Sequence, residues 1–122
     1  MLNPNRVYTS YFANVQHLPE PEQAISIARY APPFWHGKNL LCLAPTTDLL
    51  QDYREGKITW GEYSGRFLLQ LRRVDPYSVI DMVKGSVLLC WEKDFTTCHR
   101  TLVLEWLADH FGDSIIGGEV VC

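Results

Sequence analysis

The chain has 122 residues, 47% of them hydrophobic and 20% charged, with a formal net charge of −3. That length fits a single domain over residues 1–122 with its own packed core, and it excludes a small scaffold that depends on disulfide staples. No basic block exists beyond Arg72-Arg73, which excludes a general nucleic-acid binder, because such proteins displace counterions with clustered Lys and Arg.

Residues 7–12, VYTSYF, are β-branched and aromatic and predict a first strand. Pro19 and Pro21 exclude a regular element after it. Residues 24–28, AISIA, predict a second strand with Arg29 at its exit. Residues 31–37 form a stiff aromatic loop, since Pro32 and Pro33 fix φ and remove backbone donors. A short helix begins near Pro45, capped by Thr46 or Thr47 with Asp48 in its first turn, and Gly56 ends that unit.

Trp60, Tyr63, Phe67, Leu71 and Val74 recur at three- and four-residue steps and predict an amphipathic helix. Thr59 and Glu62 have capping-box spacing at its start. Asp75-Pro76 opens another helix with an acidic cap and a proline at the first position, and Gly85 closes it. Residues 86–91, SVLLCW, form a continuous apolar run, the pattern of an interior strand covered on both faces. A last helix starts at about Thr97, carries Leu102, Val103, Trp106, Leu107, His110 and Phe111 on its apolar face, and ends at Gly112. Residues 119–121 read as a final strand. Alternating strands and helices predict an α/β fold, a Rossmann-like layer sandwich with a small, mainly parallel sheet.

The four cysteines are Cys42, Cys90, Cys98 and Cys122. None sits in a Cys-x-x-Cys pair and no signal peptide precedes them, so the expectation is a cytoplasmic protein with reduced thiols. Cys42 and Cys90 lie in apolar runs and read as small core hydrophobes; Cys122 reads as a solvated terminal residue. No apolar run approaches the roughly 20 residues of a membrane span.

The chemistry gathers after the interior strand. The loop at its carboxyl end lies where open α/β sheets bind ligands. Cys98, His99 and Arg100 fall in the first turn of the next helix, where unpaired amides and a positive dipole favour anions and thiolates. Cys98 then reads as a nucleophile or redox thiol, His99 as an acid or base, and Arg100 as an oxyanion clamp. The competing role for all three is structural. A cation in a helix's first turn is electrostatically misplaced, so Arg100 calls for an anionic partner, either a ligand or one of the carboxylates Glu92 and Glu119. Arg29, Glu92 and Lys93 complete the expected ligand set with Arg100.

Three motifs are rejected. Arg100 follows Cys98 by two positions, where a tyrosine-phosphatase loop needs six. No P-loop stretch exists. Cys90 and Cys98 lack standard zinc spacing, and a metal gathered from the distant His17, His36, His99 and His110 has no sequence signal; no metal is assigned.

Leu89-Cys90-Trp91-Glu92-Lys93, then Cys98-His99-Arg100, then Glu105-Trp106-Leu107 together resemble the family catalogued as domain of unknown function 488. Ser26-Ile27-Ala28-Arg29 with Pro32, Leu43-Ala44-Pro45 with Thr47-Asp48-Leu49, and Trp60, Tyr63 and Leu71 match in order. The resemblance implies a small α/β fold of Rossmann-like character and implies no activity. The expectation is a pocket at the sheet's carboxyl edge for a small anionic ligand: a phosphate, a nucleotide or a nucleic-acid end. The alternative is a noncatalytic interaction module that presents Phe34, Trp35 and Trp91. The sequence assigns no cofactor and no oligomeric state.

Overall fold

Five short strands build one all-parallel sheet: β1 (Val7–Tyr11), β2 (Ala24–Ser26), β3 (Lys38–Asn39), β4 (Val87–Cys90) and β5 (Ile116–Glu119). Their order is β3-β2-β4-β1-β5. These elements are seen in a computed structural model that describes residues 2–120. The expected α/β class and parallel sheet are present, and β4 is the central strand. All four of its residues are buried, which is why its sequence is apolar without alternation.

Four helices follow the sequence signals closely: α1 (Thr47–Arg54), α2 (Trp60–Leu71), α3 (Pro76–Val83) and α4 (His99–Phe111). The Thr46 hydroxyl accepts from the Leu49 amide and caps α1. At α2 both halves of the Thr59–Glu62 capping box form. Asp75 caps α3 through the Tyr77 amide, ahead of Pro76. Each such cap stabilises its helix by roughly 1 kcal/mol. Gly112, at φ +87°, ends α4 with backbone that a side chain would disfavour.

The two faces of the sheet are covered differently. Val7, Ile25, Ile27 and Leu88 point to one face and pack with Leu49 of α1, Phe67 of α2, Val83 of α3 and Leu107 of α4. Phe12, Ala24, Ala28, Val87 and Leu89 point to the other, which Leu18 and the partly buried Val15, Ala31 and Trp35 close. The helices thus share one core, and short turns cover the opposite face. Truncating a fully buried core residue such as Leu107 to alanine costs about 2–5 kcal/mol.

Several expectations need correction. Phe12 leaves the strand and opens a 3₁₀ turn, Phe12–His17. β2 stops at Ser26, although the Ile27 amide still donates to the Leu89 carbonyl at 3.0 Å. β3 is two exposed polar residues, with no apolar pattern to reveal it. β5 starts at Ile116, before the expected residue 119. Its Gly117-Gly118 pair hides the strand pattern, and Gly117 lies against the Tyr8 ring where a Cβ would clash. Val121 and Cys122 lie outside the described residues. Cys42 is exposed, not core, because the turn Leu41–Leu43 directs only Leu43 inward. No helix among the described residues is long and apolar enough to cross a membrane.

Candidate functional site

In a parallel sheet every strand ends at the same edge. The segments leaving β2 and β4 therefore come together, and α4 begins beside them. A shallow cleft opens there; its enclosed volume is only about 20 Å³, room for roughly one water, and the rest of the hollow is open to solvent. Arg29, Tyr30 and Pro45 line one side; Leu50, Tyr53 and Arg54 from α1 and Trp60 and Tyr63 from α2 form a wall. Cys90, Trp91, Glu92, Thr97, Cys98 and His99 form the floor and the opposite rim.

Of the residues expected from the sequence, Arg29, Glu92, Cys98 and His99 meet in this cleft. Lys93 and Arg100 do not line it. The Lys93 side chain is exposed, and only its carbonyl takes part, accepting from Arg100 Nη2 at 3.2 Å. Arg100 is 0% exposed and lies behind the floor. Its Nε and Nη2 hold the Glu119 carboxylate at 3.1 and 2.9 Å. Its Nη1 donates to the Glu92 carbonyl and to Cys90 Sγ at 3.3 Å. All five guanidinium donors are therefore in use. The anionic partner that a first-turn cation requires is Glu119, which Thr9 also holds through its hydroxyl at 2.6 Å. Arg100 thereby ties α4, the loop after β4, and β5 into one unit.

His99 is buried, 6% exposed, and its Nε2 lies 2.7 Å from the Ile27 carbonyl. A carbonyl only accepts, so Nε2 carries the proton and Nδ1 presents a lone pair. That Nδ1 is 3.9 Å from Cys98 Sγ. Burial pulls the imidazole pKa down to about 4; the Ile27 carbonyl opposes this and the Arg100 charge adds to it. His99 is therefore a neutral acceptor at ordinary pH.

Cys98 is the N-cap residue of α4, one position earlier than a first-turn residue, and its side chain makes no capping bond. Its sulfur turns down to Cys90, and the two sulfurs lie in direct contact, close enough to pair as a disulfide. Cys90 is buried, as the sequence led one to expect, but it lies against the Cys98 sulfur rather than among apolar side chains alone. Glu92 Oε2 lies 3.4 Å from Cys98 Sγ, within reach of a thiol proton when Cys98 is reduced. The loop between them is shaped by Asp94, which accepts from the Thr96 hydroxyl and amide at 2.6 and 2.9 Å. Those two bonds hold its carboxyl below the usual range.

Arg29 is fixed by one bond, Nε to the Pro45 carbonyl at 2.8 Å. Its terminal nitrogens have no partner among the described residues. Sequence reading missed Tyr53, Arg54, Trp60 and Tyr63 as cleft residues. Trp60 and Tyr63 do sit on the expected apolar stripe, and nothing in that stripe separates core from cleft wall. Burial, then the negative charge of Glu92, pushes the Tyr63 phenol above the ordinary tyrosine value, so it stays protonated.

The sequence profile described as the active DUF488-N3 subclade matches residues 14–111. The chain belongs to the DUF488 family. Every residue lining the cleft falls inside the matched segment, while Glu119, the partner of Arg100, lies beyond it. No curated protein matches this DUF488 chain, and no solved structure does.

Proposed function

We propose that the cleft binds a small anionic ligand: a phosphate, a nucleotide or a nucleic-acid end. The observation that carries this reading is Arg29, a lining residue of the cleft anchored at Nε, whose terminal nitrogens have no protein partner among the described residues. A half-buried guanidinium with open donors favours a bidentate oxyanion. Arg54 adds a second cation on the same cleft, against one carboxylate, Glu92. Tyr53, Trp60 and Trp91 add aromatic lining beside the two cations, which suits a nucleotide whose base stays at the open mouth. The setting we assign is cytoplasmic.

Catalysis through Cys98 and His99 extends this reading. A reduced Cys98 has a neutral imidazole nitrogen on one side and Glu92 on the other, and the thiol acts as a nucleophile only with the link to Cys90 open. The second reading, a protein-interaction surface, draws on the exposed Phe34 and Trp91. Trp35 serves it less well, being half-buried against the Phe12 ring at 5.7 Å.

Calorimetric titration with inorganic phosphate and a panel of nucleoside mono- and diphosphates tests the proposal. The expected result is binding that Arg29→Ala weakens for every ligand and Trp60→Ala weakens for nucleotides only. Absence of heat and of thermal shift across the whole panel would overturn it.

A further inference from the structure

The floor of the cleft gathers three donors of a kind the anion reading does not need. Cys90 ends β4, Cys98 caps α4, and His99 opens it; one ligand atom from each lies within 4.8 Å of the other two, and all three residues are buried. We propose that, with both cysteines reduced, these residues bind one divalent cation of the zinc class through two thiolates and His99 Nδ1. Two sulfurs and one imidazole nitrogen are the donor set that selects zinc over magnesium or calcium.

The surroundings are already arranged for it. The Ile27 carbonyl takes the Nε2 proton, which fixes the tautomer and leaves Nδ1 on the sulfur side. A backbone carbonyl behind the ring is the usual outer partner of a metal-bound histidine. Arg100 Nη1 donates to Cys90 Sγ at 3.3 Å, a bond that favours negative charge on that sulfur. Two Zn–S bonds of about 2.3 Å in a tetrahedral arrangement part the sulfurs to roughly 3.8 Å. The Cα atoms of the two cysteines stand 7.5 Å apart. Ordinary disulfides span about 4.4–6.8 Å. Parting the sulfurs around an ion therefore asks for side-chain rotation and no closer approach of β4 and α4. The fourth position opens toward Glu92, whose Oε2 lies 3.4 Å from Cys98 Sγ. Each thiol gives up its proton on binding. The disulfide form has no thiolate to offer and does not bind.

This site stands apart from the anion reading, which rests on Arg29. The full chain, reduced with a phosphine and stripped with chelator, is titrated with Co²⁺. The expected result is one ion per chain, with an intense thiolate-to-cobalt charge-transfer band and a tetrahedral ligand-field spectrum that Zn²⁺ bleaches. Cys98→Ser and His99→Ala each lower the affinity by at least about tenfold, the scale on which even supporting groups act. Where a variant fails to fold, a second measurement on the unaltered chain decides. Zn²⁺ should slow iodoacetamide labelling of Cys90 and Cys98 and leave the exposed Cys42 unaffected. A spectrum without the charge-transfer band, a band that survives Cys98→Ser, equal labelling with and without Zn²⁺, or a Cys90–Cys98 bond that cannot be reduced without unfolding each overturns the proposal.

Discussion

Arg100, behind the cleft, uses all five of its N–H donors on protein acceptors; Arg29, at the cleft, uses one. Both follow a strand's carboxyl end in sequence, and both read as ligand arginines. Their surroundings separate them. The Arg100 side chain is fully buried, and a charge in that setting persists only when paired and fully hydrogen-bonded. The Arg29 side chain is half-buried, so water or a ligand can complete it. The first is a structural fastener, and the second keeps donors to spare. The same residue type takes either role according to how many acceptors the fold supplies.

Removing Arg100 tests the difference most severely. Arg100→Ala strands Glu119 and the carbonyls of Glu92 and Lys93, and should cost about 3–5 kcal/mol in a urea titration, the scale for breaking a buried pair. Arg100→Lys should recover little of this, since one ammonium cannot reach acceptors on both sides. A loss under about 1 kcal/mol would place Arg100 with Arg29 after all.

His99 lies between the two regions and gives the next effect. In the metal-free protein its folded pKa of about 4 lies below the unfolded value of 6.5, so the unfolded state takes up the proton first as pH falls. Its stabilising contribution is complete above about pH 6.5 and is lost progressively down to about pH 4. The total is on the order of 3 kcal/mol. His99→Gln should flatten that part of the stability–pH curve, and an unchanged slope would show that other groups set it.

Arg29→Ala should be mild on the same scale, about 1 kcal/mol or less for one bond to Pro45, while removing most of the anion affinity. Large destabilisation with unchanged binding would reverse the contrast. Smallest is Thr59→Ala, which touches neither arginine's hydrogen bonds, at roughly 1 kcal/mol or less from loss of the cap.

Much of this was legible in the chain itself. The Thr59–Glu62 box, the Asp75-Pro76 start, the apolar run of β4 and the Gly112 stop are local signals, because caps, prolines and buried strands act on their immediate neighbours. β3 was not, since Lys38 and Asn39 pair with β2 without an apolar pattern of their own. Nor was the use of Tyr53, Trp60 and Tyr63 as a cleft wall, because a helix stripe shows which face turns inward but not whether core or cleft awaits it.

The sequence by itself determined the four helices, the interior strand, the α/β class and the concentration of reactive side chains after β4, because periodicity, capping and burial pattern are properties of short segments. Only the tertiary structure decided that Cys90 meets Cys98, that Arg100 turns to Glu119 and that Arg29 turns to the cleft. Those outcomes depend on which strand ends are neighbours. In a parallel sheet of order β3-β2-β4-β1-β5, that is fixed by crossovers spanning many residues, for which no local pattern carries the information.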